Sequence, residues 1–167
     1  MANGETFRPD TADPKAFRDA LGRYATGVTV VTCNTADGPL GITANSFSSV
    51  SLDPPLVLWS PARASKRFDA FVAAQHFAIH ILGAEQHHYC QTFATEGRNF
   101  STLDWHQGAH DVPLIDTCLA RFECDRHAVH DGGDHAIIIG KVTSATVGEG
   151  APLVFARGSY GRFEEMR

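Results

Sequence analysis

A chain of 167 residues, 43% hydrophobic and 20% charged, has material for one hydrophobic core and too little charge to stay unfolded, which excludes both a two-domain and a disordered protein. A formal charge of -5 without any run of lysines or arginines disfavours a nucleic-acid partner, because a phosphate backbone would be repelled. The start of the chain has neither the basic stretch nor the apolar stretch of a secretory signal, and no segment approaches the ~18 apolar residues of a membrane span, so a cytoplasmic protein without membrane contact is expected.

One domain over residues 1–167 is therefore predicted, and its elements follow in chain order. Asp13 and Pro14 supply an N-cap and a first-position proline, and Phe17, Ala20, Leu21 and Tyr24 recur at i, i+3, i+4 and i+7, which predicts an amphipathic helix. The β-branched run 28–32 after Gly27 reads as a strand, and Asp37-Gly38 ahead of Gly41, Ile42 and Thr43 predicts an antiparallel hairpin. Beyond Asp53-Pro54-Pro55, residues 56–59 read as a buried strand and 64–74 as a short helix with Phe68, Phe71 and Val72 inward. A strand over 77–82 and a helix over 86–95 precede a polar, turn-rich region, 96–113, long enough to act as a covering loop. Alternation over 118–125 gives a half-buried strand, a turn at Asp131-Gly132-Gly133 leads into a strand from His135, and a last strand over 152–155 precedes the tail at Gly158, Ser159, Tyr160 and Gly161. Six or seven strands without a repeated strand-helix-strand alternation indicate a mainly β, barrel-like fold with peripheral helices.

Four features bear on chemistry. Residues 43–51 hold five hydroxyls and one amide, which satisfy turn or sheet-edge backbone groups in the ordinary case. The basic cluster Arg63, Ser65, Lys66 and Arg67 sits where a helix should begin; with hydroxyls nearby it either binds a phosphate or simply faces water, and the two readings carry equal weight. The Asp134-His135 step stands at the rim of a buried strand, where barrel sites are built. The nine histidines lack metal-binding spacing: His87 and His88 diverge on a helix, and loop histidines such as His127 and His130 commonly bond backbone or titrate in water. Cys33, Cys90, Cys118 and Cys124 are expected as reduced thiols acting as small hydrophobes. The nucleophile elbow of serine hydrolases and the glycine-rich loops of common nucleotide-binding folds are absent.

Taken together, the segments 25–32, 41–51 with Asp53-Pro54-Pro55 behind them, Lys66-Arg67-Phe68, 77–82, Gln91-Thr92-Phe93, 120–124, Gly133-Asp134-His135, Gly140-Lys141-Val142 and 152–155 resemble the short-chain flavin reductases, over about residues 17–163. That family is similar to the reductase components of two-component flavin monooxygenases. The resemblance implies an FMN-binding split β-barrel working as a homodimer, with FMN or FAD, NADH or NADPH as co-substrate, and an oxygenase component receiving reduced flavin. It further implies flavin contacts at Gly27, Thr29 and Val50, with Thr43, Ala44, Asn45 and Ser46 lining the isoalloxazine and Ser49, Ser51, Ser65 and Lys66 on the phosphate side. His135 and Tyr160 fall near the nicotinamide or the exposed flavin face. No residue is implied as an acid, base or nucleophile, since the flavin carries the chemistry. A non-catalytic flavin carrier on the same barrel is the competing reading. Pyridoxamine-phosphate oxidase-like oxidases, which use several phosphate arginines, fit the Thr-Ala-Asn-Ser segment less well.

Overall fold

In the computed structural model, which describes Gly4 and residues 6–166, the Asp13 carboxylate accepts the Lys15 N–H at 2.9 Å and Pro14 opens α1 (Pro14–Leu21). Short β1 (Thr26–Gly27) leads into β2 (Thr29–Thr35), which turns through Ala36 and Asp37 into β3 (Gly38–Ala44), Gly38 taking φ +94° as the Asp-Gly signal requires. There follow β4 (Ser48–Leu52), β5 (Pro55–Trp59), α2 (Phe68–Ala73), β6 (His76–Ile81) and α3 (His87–Thr95). The remaining elements are β7 (Trp105–Gln107), β8 (Pro113–Ile115), β9 (Ala120–Gly132), β10 (His135–Val147), β11 (Leu153–Ala156) and β12 (Ser159–Arg162). Among the described residues no helix is long and apolar enough to cross a membrane.

Seven strands form the main antiparallel sheet in the order β3-β2-β6-β9-β10-β5-β4. Its two edges, β3 and β4, are joined by only Asn45, Ser46 and Phe47. A flat sheet of that size would separate its edges by about 29 Å, whereas four residue steps span at most about 14 Å, so the sheet must curl until its edges nearly meet. Register shifts in the β9–β10 ladder at Ile139/Gly140 and Val142/Ser144 supply part of the bend. The sheets do not close into one hydrogen-bonded cylinder: β1-β11-β12 and β7-β8 stand as separate sheets, giving a split, mainly β barrel with helices at its periphery.

The curl encloses a core of Val31, Cys33, Ile42, Trp59, Phe77 and Ile138 with their neighbours, into which α2 sends Phe71, its ring edge-on to Trp59 at 5.1 Å. Phe47, in the link between the sheet edges, stacks on Phe122 of β9 at 5.7 Å. Val28 and Val30 face the other side and pack with Leu82, Tyr89, Phe93 and Phe100. The strand β2 is thus covered on both faces, which is why it reads as a nearly unbroken β-branched run.

Four expectations need correction. The apolar stripe of α1 is not covered: Phe17, Leu21 and Tyr24 are 43%, 60% and 80% exposed. The 64–74 helix shrinks to six residues beginning at Phe68, because Arg63 and Arg67 are drawn into the contacts described below. The region 96–113 is not a free covering loop; it carries β7 and a 3-10 turn, and it buries Phe100 and Leu103 against α3. The tail past Gly158 is the strand β12, paired with β11. As for the cysteines, all four are free, with Cys33, Cys90 and Cys124 buried and Cys118 half-buried; burial pushes the Cys33 and Cys124 thiols up to about 12.

Gly41 of β3 sits beneath the Phe93 ring, and a Cβ there would lie 2.5 Å from two ring carbons. Since Phe93 is fully buried, it has no room to retreat. A Gly41→Ala variant is expected to lose about 2 kcal/mol of unfolding free energy, read from the denaturant midpoint at constant m-value.

Candidate functional site

Where the two sheet edges meet, a cleft of about 200 Å³ opens. On one side it is walled by Thr43, Ala44, Asn45 and Ser46, and on the other by Trp59, Ser60, Pro61 and Ala62 at the end of β5, with Ser65 and His135 completing it. A second cleft of about 150 Å³ shares Thr43, Ala44 and Asn45 and adds Val28, Phe155 and Tyr160. The two clefts share the end of β3, Thr43 to Asn45, as a common wall.

Each wall has an identifiable support. Thr29, buried in β2, donates from its hydroxyl to the Ala44 carbonyl at 2.8 Å and so fixes the end of β3 from beneath. The Ser46 hydroxyl accepts the Ser60 N–H at 2.9 Å and donates to the Ser60 carbonyl at 3.3 Å, tying the link between the edges to the end of β5. Replacing Ser46 by alanine leaves that N–H without its partner; a loss of about 1–2 kcal/mol in unfolding free energy is expected on denaturant titration. Cys90 of α3 joins two walls: its carbonyl accepts from the Thr43 hydroxyl at 2.7 Å, and its thiol donates to the Tyr160 hydroxyl at 3.1 Å. Tyr160 is 41% exposed, yet its hydroxyl end is tucked against Cys90, and burial followed by that contact pushes the phenol up to about 12.

At the far end, the Arg63 N–H donates to the Asp134 carbonyl at 2.8 Å and the Ala136 N–H to that of Pro61 at 3.1 Å. These bonds lock the turn after β5 onto the β9–β10 turn and bring His135 into the cleft that Ser65 lines. His135 Nδ1 lies 2.7 Å from the Asp134 carboxylate, and the imidazole holds that carboxyl below its usual range. Within the groove the titratable side chains are His135 and Tyr160, the latter neutral at physiological pH. The arrangement therefore offers walls and hydrogen bonds for a flat polar group; it contains no nucleophile paired with a base.

The predicted residues divide accordingly. Thr43, Ala44, Asn45, Ser46, Ser65, His135 and Tyr160 converge on the groove. Thr29 lies behind it, its hydroxyl committed to Ala44. Gly27 belongs to β1, paired to β11, and Ser49, Val50 and Ser51 lie on the edge strand β4; they line neither cleft, and neither does the exposed Lys66. The basic cluster does not open a helix, which begins only at Phe68, and two of its cations are committed elsewhere. Arg63 donates to the Gly133 carbonyl and to Asp131 at 2.9 and 2.6 Å, while Arg67 turns inward to the carbonyls of Gly41, Phe93 and Ala94, closing the end of α3. Trp59, Ser60, Pro61, Val28, Phe155 and Cys90 are contributors that sequence reasoning missed. Of these, only Ser60, placed immediately after a buried strand, carried a local signal.

The flavin reductase like domain family matches residues 21–164. The chain is 53% identical over 166 residues to the FMN reductase (NADH) SmoA of Agrobacterium fabrum, covering 99% of this chain and 95% of that protein. It is 48% identical over 148 residues to the reductase component of the flavin-dependent trigonelline monooxygenase of Acinetobacter baylyi, covering 87% of this chain but only 48% of that protein. Among solved structures, the NADH:FAD oxidoreductase SgcE6 of Streptomyces globisporus C-1027, in complex with NAD and FAD fragments, superposes with a TM-score of 0.87 at 37% identity, over 96% of this chain and 98% of that one. On the family match and these likenesses, carried by a split barrel with a polar groove at its seam, the chain belongs to the flavin reductase-like family.

Proposed function

We propose that this protein is a flavin reductase that passes a hydride from NADH or NADPH to FMN or FAD and supplies the reduced flavin to a partner monooxygenase. The observation that carries the reading is the convergence of Thr43, Ala44, Asn45, Ser46, Ser65 and His135 on one groove in a chain of this family. The residues present suit a flavin: Ala44 and Pro61 line the cleft with apolar atoms, and the Asn45 amide and the Ser60 and Ser65 hydroxyls are polar partners. The Trp59 indole N–H is buried without a partner among the described residues. A bound flavin supplies the hydride-accepting ring. The chain's own work is to orient that ring, to keep water from one face, and to present N–H groups around Asn45 and Ser46. Catalysis by placement needs no protein acid or base.

The reading includes a homodimer. It is supported by the uncovered apolar stripe of α1 and by Leu52 and Val147, which are 96% and 83% exposed. The experiment is to purify the protein and follow NADH and NADPH consumption with added FMN or FAD. Flavin-dependent turnover is expected. Tight flavin retention with no nicotinamide oxidation would establish a carrier and overturn the proposal.

A further inference from the structure

Thr43 and Tyr160 both line the cleft of about 150 Å³, beside Val28 and Phe155. Thr43 stands on β3 of the main sheet. Tyr160 stands on β12, the outer strand of the separate sheet β1-β11-β12, and all four residues of that strand are exposed. Pairing to β11 fixes the backbone of such a strand but leaves its side chains a choice of staggered rotamers. The rings of His87 and Phe155 flank Tyr160 at 4.6 and 5.0 Å, both tilted to it. Among the described residues, the hydrogen-bond partner of its hydroxyl is Cys90.

Cys90 is a fixed point. It is fully buried on α3, in the cluster that holds Val30, Leu82, Phe93 and Ile115. Burial, opposed by the Tyr160 and Thr43 contacts, raises its thiol above the usual range, so the sulfur keeps its proton and remains a donor. Its Sγ lies 3.1 Å from the Tyr160 oxygen, and its carbonyl accepts from the Thr43 hydroxyl at 2.7 Å. One residue is thereby tied to two walls of the cleft that belong to separate sheets. Another link from β12 is the ion pair of Arg162 with Glu85, two residues on and from the same strand face. Those side chains are 61% and 83% exposed, and an ion pair in that setting contributes little. The buried contact at Cys90 is the one able to hold the Tyr160 ring.

We propose that Cys90 is a positioning residue: its thiol holds the Tyr160 ring at a set distance from Thr43 and so tunes the affinity for the flat aromatic ring that binds between them. Cys90 lines neither cleft and acts only through these two neighbours. The inference rests on the flavin reductase reading, in which the bound ring is the isoalloxazine or the nicotinamide.

The variants Cys90→Ala, Tyr160→Phe and their combination, with Cys90→Ser as the conservative replacement, are compared by fluorescence titration with FMN, with FAD and, in the absence of flavin, with NADH. The two side chains share one hydrogen bond. Each single variant should therefore weaken ring binding by about 3- to 10-fold, and the double variant should be no weaker than either. Cys90→Ser keeps a donor at that place and should return to within about twofold of the unmodified protein. In turnover the same changes should appear in KM, with kcat moving less than KM does. Weakened flavin binding assigns the cleft to the isoalloxazine, and weakened NADH binding with flavin unchanged assigns it to the nicotinamide; both support the proposal. A thiol that merely packs α3 predicts a lower unfolding midpoint with ring affinity unchanged. That result, additive losses in the double variant, or no recovery in Cys90→Ser overturns the proposal. Tyr160→Phe removes one oxygen from a side chain 41% exposed, so it keeps the test available should Cys90→Ala fail to fold, and unchanged ring affinity there overturns the proposal too. Absence of flavin-dependent NADH oxidation in the unmodified protein would instead count against the reductase reading, since the titrations read this contact without turnover.

Discussion

A His80→Leu variant is expected to lose about 2–4 kcal/mol of unfolding free energy at neutral pH, and with it most of the protein's loss of stability between pH 6.5 and 4. His80 of β6 is wholly buried, and both ring nitrogens are used. Nδ1 donates to the Val30 carbonyl at 2.9 Å and Nε2 accepts the Ile115 N–H at 3.1 Å, which ties β8 to the outside of the main sheet. Only the neutral ring satisfies both bonds, since a second proton on Nε2 would face the Ile115 N–H. Burial, reinforced by the Arg121 cation and opposed by the Val30 bond and by Asp116, lowers the imidazole from 6.5 to about 4. As pH falls, the unfolded chain therefore takes up the proton before the folded one does. The stabilisation is complete above about 6.5, shrinks by about 1.4 kcal/mol per pH unit and is exhausted near pH 4, about 3 kcal/mol in all. Denaturant titrations of both proteins across this range measure it; an equal slope in the variant would show that other groups govern the acid sensitivity.

The bond from His80 to Ile115 also illustrates what the sequence could and could not convey. Local signals were readable: the Asp13 cap and Pro14 for α1, the Asp-Gly turn between β2 and β3, and the alternation in β9. The hydroxyl-rich segment 43–51 comprises two structures, the groove wall up to Ser46 and the edge strand β4. The break between them exists because the sheet curls, and the curl depends on pairings between strands remote in sequence. The same reason hid Cys90, whose carbonyl and thiol support Thr43 and Tyr160 across separations of 47 and 70 residues. Arg63 and Arg67 looked alike beside Lys66 in the sequence; their divergent fates are set by Asp131 and by the exposed carbonyls at the end of α3, neither of which is local. The resemblance to a known family added the flavin ligand and the expectation of a homodimer, which periodicity alone does not provide.

Filling the groove at Ala44 is the sharpest test of where flavin binds. Ala44 lines both clefts, of about 150 and 200 Å³, so an Ala44→Phe variant places a ring in the space assigned to the isoalloxazine. Losing the burial of one aromatic ring face corresponds to about 2–3 kcal/mol, or about a 30- to 150-fold rise in the KM for flavin. Ala44 also packs against the core, as Phe47 does, so part of the added ring competes with that packing and about 1–3 kcal/mol of unfolding free energy is expected to be lost even with Thr29 holding the Ala44 carbonyl at 2.8 Å. The two measurements separate a blocked site from a damaged barrel. A flavin KM unchanged in a folded variant would move the binding site away from the seam between β3 and β5, and the roles given to Asn45, Ser46, Ser65 and His135 would go with it.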